Sequence, residues 1–498
     1  MTEERQSKEI QSSYRSIFKA TSLFGGVQVY TILIQVLKSK IIAILLGPLG
    51  VGIQGLYQSA LDLIKQATSF GLSQSAVRDV AEASGSDDTK KISRTVSVLH
   101  KVVWFTGLLG LFCVFILSPL LSKASFGNSE YVIPFICLSV ILLFDQLSAG
   151  QKVILQGTRR LKDLAKATSI GITISLIFSL PCYFCYGVNG IVPAMILTAS
   201  VTLIVSWYYS RRVDVNKSAV SLKDIFSEGK SMIIMGLSMS ISGVMAMGAA
   251  YLIRNYIRSI GGIIEVGLFQ AGFVIINSYV GLVFNAISTD YYPRLASVNK
   301  DNIKCREVVC QQGEISVFLM APLLSICILT MPFVIKTLYS SEFLPADNYI
   351  KWACIGMMFR LASWIVSYLF IAKAESKLFI INEFVASVNY LWLSILGYKI
   401  GGLTGIGVAF ALNYILYFIQ VYLISYYRYG FRFLYGFVFS FNLHLFLVII
   451  CLLSMMLLDF PYNYLLGSFV TLLSIILAIK GLNQRVDVLS IINTIRHK

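Results

Sequence analysis

The chain is a succession of apolar runs, each about as long as the roughly 20 residues an α-helix needs to cross a bilayer. They lie near 17–46, 51–80, 99–121, 131–156, 168–186, 190–209, 231–257, 266–292, 315–339, 349–373, 378–400, 402–427, 437–458 and 461–481. About fourteen transmembrane helices are therefore expected. None of the runs alternates with period two, which argues against spanning strands. Only 13% of the 498 residues are charged, against roughly 25% in soluble domains, so a water-soluble globule has too few polar side chains to cover itself. Residues 1–16 are polar and the first apolar run is longer than a signal-peptide core, so that run is expected to stay as a span.

The polar connections set the expected orientation. With the amino terminus inside, the inner segments hold 29 Lys and Arg and the outer ones hold four, Lys123, Lys336, Lys351 and Lys399. The positive-inside rule then places both termini in the cytoplasm. It also absorbs most of the net charge of +16, which removes the motive for a nucleic-acid partner. The inner segment 210–230, with Arg211, Arg212, Lys217, Lys223 and Lys230, reads as a connector that attracts anionic headgroups.

Eight basic residues remain inside or at the mouths of apolar runs: Lys38, Lys40, Lys65, Arg78, Lys152, Arg254, Arg258 and Arg360. Facing lipid at mid-depth, each costs about 2.5–3.5 kcal/mol, so most must line a wet interior or pair with acids. The acids of the same zones are fewer, Asp62, Asp79, Asp145 and Glu383. A net cationic interior suits an anionic cargo.

Particular spacings sharpen this. Gln54, Gln58, Asp62, Lys65 and Ser69 share one helical face, and that face must turn away from lipid. Gln270, Asn277, Gly281 and Ser288 form a milder version in the eighth run. Arg254 and Arg258 are one turn apart, suited to a diphosphate; pairing with Glu265 or reaching to the interface is the alternative. Asp62 with Lys65, and Asp145 with Lys152, form either structural ion pairs or a relay for coupling ions. Arg360 has no acid near it in its own run and is the stronger candidate for cargo contact. Glu383 pairs with an inner-face cation or couples protons.

Several other signals carry less. Cys182 and Cys185 have redox-motif spacing but no partner His or second pair, so no metal and no cofactor is expected. Gly401 to Gly407 is glycine-rich, yet joins two apolar runs instead of a strand and a soluble helix, and no Walker sequence is present. His444 reads as a bonder between helices. No outer connection exceeds about fifteen residues and no catalytic constellation occurs, which argues against an enzyme.

An internal repeat is visible as Gly55-Leu-Tyr-Gln58 and Gly267-Leu-Phe-Gln270, 212 positions apart and each following a glycine-containing turn. The expected fold is an all-α polytopic membrane protein: two six-helix lobes related by a pseudo-two-fold axis along the membrane normal, plus two extra carboxyl-terminal helices. The boundaries are 1–228 for the first lobe, 229–430 for the second and 431–498 for the extra helices and tail.

Lys40-Ile-Ile-Ala-Ile-Leu-Leu-Gly47-Pro48-Leu-Gly50-Val-Gly52, Gly71-Leu-Ser-Gln-Ser-Ala-Val-Arg78, Glu265-Val-Gly267-Leu-Phe-Gln270, Pro293-Arg-Leu and Tyr368-Leu-Phe-Ile-Ala-Lys373-Ala, followed by Glu383, resemble the Wzx-type flippases. These are O-antigen and related lipid-linked oligosaccharide translocases of the multidrug/oligosaccharidyl-lipid/polysaccharide exporter superfamily. That family typically has twelve spans; the peptidoglycan-precursor flippases of the superfamily have fourteen. The resemblance covers roughly residues 15–430. It implies transport of an undecaprenyl-diphosphate-linked oligosaccharide between leaflets of a bacterial inner membrane by alternating access. It also implies coupling to H+ or Na+, with a glycan polymerase and a chain-length regulator as partners. Lys40, Arg78, Arg254 and Glu265 fall on positions matching the family motifs; Lys65, Arg258 and Arg360 rest on the helical-face argument. A multidrug or organic-cation antiporter of the same superfamily is the alternative, disfavoured by eight interior bases against four acids.

Overall fold

The structure, a computed structural model, describes residues 2–85, 89–213, 222–281, 283–284, 291, 294–373 and 375–486. The described residues are almost entirely helical. In chain order the helices are α1 (Thr2–Thr68), α2 (Leu72–Gly85), α3 (Thr89–Phe126), α4 (Val132–Gly157), α5 (Leu161–Tyr186) and α6 (Ile191–Ser210). There follow α7 (Leu222–Val274), a π-helical turn (Ile275–Val280), α8 (Asn302–Leu338), α9 (Asp347–Ala372), α10 (Ser376–Tyr429), α11 (Tyr435–Leu457) and α12 (Tyr462–Val486). Among the described residues, ten helical stretches are long and apolar enough to cross a membrane. Without water to satisfy peptide groups in the hydrocarbon, a helix that bonds every interior N–H within itself is the form such a sequence must take. Four buried hydroxyls are satisfied within their own helix, as Thr68, Thr106, Ser325 and Thr471 each donate to a carbonyl one turn earlier.

The long helices are divided by glycine. Helix α1 contains Gly47 at φ 60°, ψ −168°, and α7 contains Gly262 at φ 82°, ψ −179°. Helix α10 contains Gly402 at φ 56°, ψ −139°, and Gly187, at φ 53°, ψ −128°, opens the 3-10 turn between α5 and α6. Side chains scarcely enter this region of backbone space, so glycine is the residue that can turn the chain here. The four breaks form two pairs with one spacing, since 262 less 47 and 402 less 187 are both 215. This periodicity sits on backbone conformation, whereas the 212-residue repeat of the sequence sits on side chains.

One expectation is corrected. The second apolar run, read as continuous over 51–80, is interrupted after Thr68: Phe70 and Gly71 adopt φ 48° and φ 60°, and α2 starts anew at Leu72. Leu72, Ala76, Val80 and Ala83, at helical spacing, are buried, and the first three join Leu99, Val102 and Ile154 of α3 and α4 in one core. Gly157 of α4 permits the approach, because a Cβ there would lie 2.5 Å from Val80. Arg78 therefore stands on this short helix, beyond the span; its side chain lies outside the described residues.

The chain divides into two compact units, Met1–Ser259 and Ile260–Lys498, with the division falling inside α7. In the first unit α3 packs on α4, α5 on α6, and α4 on α6. The end of α7 belonging to this unit is tied to α3 by a 2.9 Å bond between the hydroxyls of Ser125 and Tyr251. In the second unit α10 wraps α9, and Gly356 and Gly407 let the two approach, a Cβ on Gly407 falling 2.6 Å from the Tyr349 carbonyl. Helices α11 and α12 pack on each other and on α8. There Gly313 lies against Phe437, and Gly481 against Phe318.

Gly401 and Gly402 separate conformation from space. Neither has an atom within 4 Å of an added Cβ, yet Gly401 has φ −137° and Gly402 φ 56°. Gly402→Ala should destabilise the purified protein by about 1–3 kcal/mol, while Gly401→Ala should be close to neutral. Thermal unfolding in detergent measures both.

Candidate functional site

The first unit gathers charge around α1, α4 and α7. The polar stripe of α1 is its accessible face: Gln58 is exposed and Asp62 and Lys65 are half-buried, while Leu56, Ala60, Leu61 and Ile64 on the opposite side are buried. Gln58 Nε2 donates to Asp62 Oδ1 at 2.9 Å. Lys65 does not pair within its own helix; its ammonium reaches across to Asp145 of α4 at 2.6 Å. Lys152, two turns along α4 from Asp145, lies within electrostatic reach of both Asp145 and Lys65. Arg254 of α7, 5% exposed, donates to the Ala250 carbonyl at 2.9 Å and acts electrostatically on Asp62. Asp62, Lys65, Asp145, Lys152 and Arg254 thus form one web of three cations and two carboxylates. Its charge is reduced by pairing and remains positive.

Arg258 takes a different place. Its guanidinium donates to the Ala124 carbonyl at 3.2 Å, in the last turn of α3, where unsatisfied carbonyls and the helix dipole favour a cation. Gly127, at φ 83°, makes room, since a Cβ there would sit 2.4 Å from Arg258 Nη1. Arg254 and Arg258 are one turn apart in sequence but are held by different groups. Lys38 donates to Thr198 of α6 at 3.3 Å. Lys40 is half-buried, and among the described residues its ammonium has no hydrogen-bond or ion-pair partner.

In the second unit the central cation is Arg360 of α9. It donates to Asn277 Oδ1 at 2.8 Å, and its guanidinium lies 5.3 Å from the Phe284 ring and 5.4 Å from the Tyr414 ring. Asn277 belongs to the π-helical turn, a wide turn that frequently marks functional positions. It also donates to the Phe273 carbonyl at 3.1 Å, which orients its amide. Arg360 is therefore positioned by an amide and two aromatic faces, neutral groups that leave its charge intact. Glu383 of α10 is within its electrostatic reach, yet accepts its hydrogen bond from the Tyr417 hydroxyl. Asn382 donates to the same hydroxyl at 3.1 Å and accepts from Gln420. Glu265 accepts from the Tyr398 hydroxyl.

Sequence reading paired Asp62 with Lys65 and Asp145 with Lys152; folding instead bonds Lys65 to Asp145 and brings these four and Arg254 into one web. Sequence reading missed the tyrosines that hold Glu265 and Glu383, 133 and 34 positions away, because no helical spacing connects such residues. Among the described residues no group of His, Cys, Asp or Glu is arranged to hold a metal ion.

The cross-helix pair makes a measurable claim. Lys65→Ala and Asp145→Ala should each lower the unfolding temperature, and the double substitution should cost less than their sum by on the order of 1 kcal/mol, the coupling expected of a half-exposed pair. Lys152→Ala with Lys65→Ala, which share a carboxylate but no bond, should couple less.

Comparison with known proteins supplies the context. The model of a family described as polysaccharide biosynthesis protein matches residues 41–348. The lipid III flippases of Escherichia coli (strain K12) and Shigella flexneri are each 23% identical over 403 residues, covering 77% of this chain and 91% of theirs. Among solved structures, an inward-facing multidrug resistance MATE family transporter of the MOP superfamily superposes with a TM-score of 0.68 at 16% identity, covering 80% of this chain and 94% of its own. The lipid II flippase MurJ, in an inward closed conformation, gives 0.66 at 14% identity and covers 94% of this chain and 99% of its own. With more than half its length matched by that family, and helices arranged as in these transporters, the chain belongs to the polysaccharide biosynthesis protein family and has the MOP-superfamily transporter fold.

Proposed function

We propose that this protein is a flippase that carries a lipid-linked oligosaccharide bearing a diphosphate from the inner to the outer leaflet of a bacterial plasma membrane. The observation that carries the reading is Arg360, a full positive charge inside a membrane domain held by Asn277, Phe284 and Tyr414 instead of by a carboxylate. A cation held inside a membrane domain without an ion-pair partner is costly, and an anionic cargo offsets that cost only when it is present. The net positive web around Arg254 supports the same reading. So do relatives whose names are lipid III flippase. An organic cation, the cargo of the rival antiporter reading, would be repelled by both positions.

In this proposal each of the four stretches broken at Gly47, Gly187, Gly262 and Gly402 crosses the membrane twice, which gives fourteen crossings with both termini in the cytoplasm. Residues 1–228 and 229–430 are the two lobes. Lys40, Lys65, Arg78, Arg254 and Arg360 are the candidates for diphosphate contact, the sugars occupy water, and the lipid tail stays in the bilayer. The substrate is an undecaprenyl-diphosphate-linked repeat unit of O-antigen type, and the product passes to a polymerase. Moving two negative charges outward across an inside-negative potential releases about 4.6 kcal/mol per 100 mV. The same field draws the empty cationic carrier back inward, and protonation at Glu383 or Asp62 provides the route for an ion gradient to add to the cycle.

Arg360→Ala should abolish surface-glycan display in a strain depending on this gene while membrane abundance is unchanged, and Arg360→Lys should restore it in part, since a lysine keeps the charge and loses the forked donor geometry. Normal display by Arg360→Ala and Arg254→Ala together would remove the cargo assignment. In vesicles containing the purified protein, an imposed potential negative on the cargo side should raise the flipping rate; a rate indifferent to both potential and pH gradient would reject the coupling scheme.

A further inference from the structure

The first unit contains a groove of about 820 Å³ between α3, α4 and α6, apart from the charged web. Asp145 and Lys152 are on α4 too, but the groove is lined by other residues of that helix, among them Phe144, Leu147 and Gln151. Its two ends differ in chemistry. Helix α3 runs opposite in sequence to α4 and α6 here, so residues 96–101, 151–154 and 210–213 meet at one end and residues 104, 143–147 and 203–204 at the other. The first end carries His100, Lys101 and Arg211, and the second carries Leu143, Leu147 and Leu203. No carboxylate is among the lining residues.

The basic end is built. Arg211 stacks on Trp207 with its guanidinium carbon 4.0 Å from the ring centroid. Stacking engages the face of the guanidinium and leaves its in-plane N–H donors pointing outward, and among the described residues they make no hydrogen bond. The floor beneath is a closed chain of bonds. Ser210 donates to Gln151 Oε1, Gln151 Nε2 approaches His100 Nε2 at 3.5 Å, and His100 Nδ1 donates to the Val96 carbonyl at 3.0 Å. The floor beneath Arg211 is thus satisfied within the protein, and Lys101 lines the same end of the groove. Trp104 and Trp207, 49% and 43% exposed, frame the opening as indoles do at the boundary between headgroups and acyl chains.

We propose that this groove binds an anionic phospholipid of the bilayer, with its phosphate at Arg211 and Lys101 and an acyl chain along Leu143, Leu147 and Leu203. The charge selects an anion. The apolar length selects a molecule with a hydrocarbon tail, because a free phosphate would leave those walls uncovered and an extended peptide would find no partners there for its backbone. The position, at the basic ends of three membrane helices, places the headgroup at the membrane surface. The site is independent of the cargo, and a lipid wedged among α3, α4 and α6 would link the stability of this unit to the anionic lipid content of the membrane.

The test uses the full chain in phosphatidylcholine nanodiscs, titrated with phosphatidylglycerol brominated on its acyl chains or with equally brominated phosphatidylcholine, and reads tryptophan quenching. Brominated phosphatidylglycerol should quench at a several-fold lower mole fraction. Each of Lys101→Gln and Arg211→Gln should reduce that preference by about fivefold, as one interfacial charge is worth. Both side chains are exposed, so folding should persist. Inorganic phosphate should leave the quenching unchanged. Equal quenching by the two lipids in the wild type would show ordinary boundary lipid and overturn the proposal. A preference surviving the double substitution would overturn it as well. So would displacement of phosphatidylglycerol by inorganic phosphate, or by undecaprenyl phosphate at a lower mole fraction, which would give the groove to the cargo instead.

Discussion

The bilayer's refusal to hydrogen-bond with peptide groups governs everything else in this chain. It makes each apolar run a helix and places the breaks at 47, 187, 262 and 402 at glycines, which turn without a side-chain clash. It also makes any charge retained at depth informative, since a charge with no use would be lost over evolutionary time. The glycines at 47, 187, 262 and 402 and the basic residues at 65, 254 and 360 are two expressions of the same constraint.

The two units handle buried charge differently. The first distributes it, with Lys65 tied to Asp145 and three cations sharing two carboxylates. Such a web can trade partners as a ligand arrives, because removing one bond leaves others in reach. The second pairs its buried Lys351 with Asp347 at 2.6 Å and leaves Arg360 positioned by an amide on a π-helical turn and by two rings. The carboxylates of Glu265 and Glu383 each accept from a tyrosine. A guanidinium presented this way is oriented without being neutralised, the arrangement recognition of phosphate requires.

Much of this was legible before any coordinates. Apolar run length predicted membrane helices, and the face of α1 bearing Gln58, Asp62 and Lys65 followed from a period of 3.6 residues. The partner of Lys65 did not follow, because Asp62 is near in sequence and Asp145 is near only after α1 and α4 pack. The break at Phe70 and Gly71 was hidden for a related reason: the residues after it are as apolar as those before, and hydropathy cannot distinguish a continuing span from a second helix lying against a neighbour. Arg258 was legible as a cation at depth, but its seat on the end of α3 depends on Gly127, 131 positions away.

Helices α11 and α12 lie against α8 through glycine notches, Phe437 seated at Gly313 and Phe318 at Gly481. Such seats are cut for particular rings, so this carboxyl-terminal pair is not a detachable appendage. Removing the pair would strip α8 of a fitted cover and hand lipid a pitted surface that it fills badly, so the glycine at 313 is tied to the ring it receives.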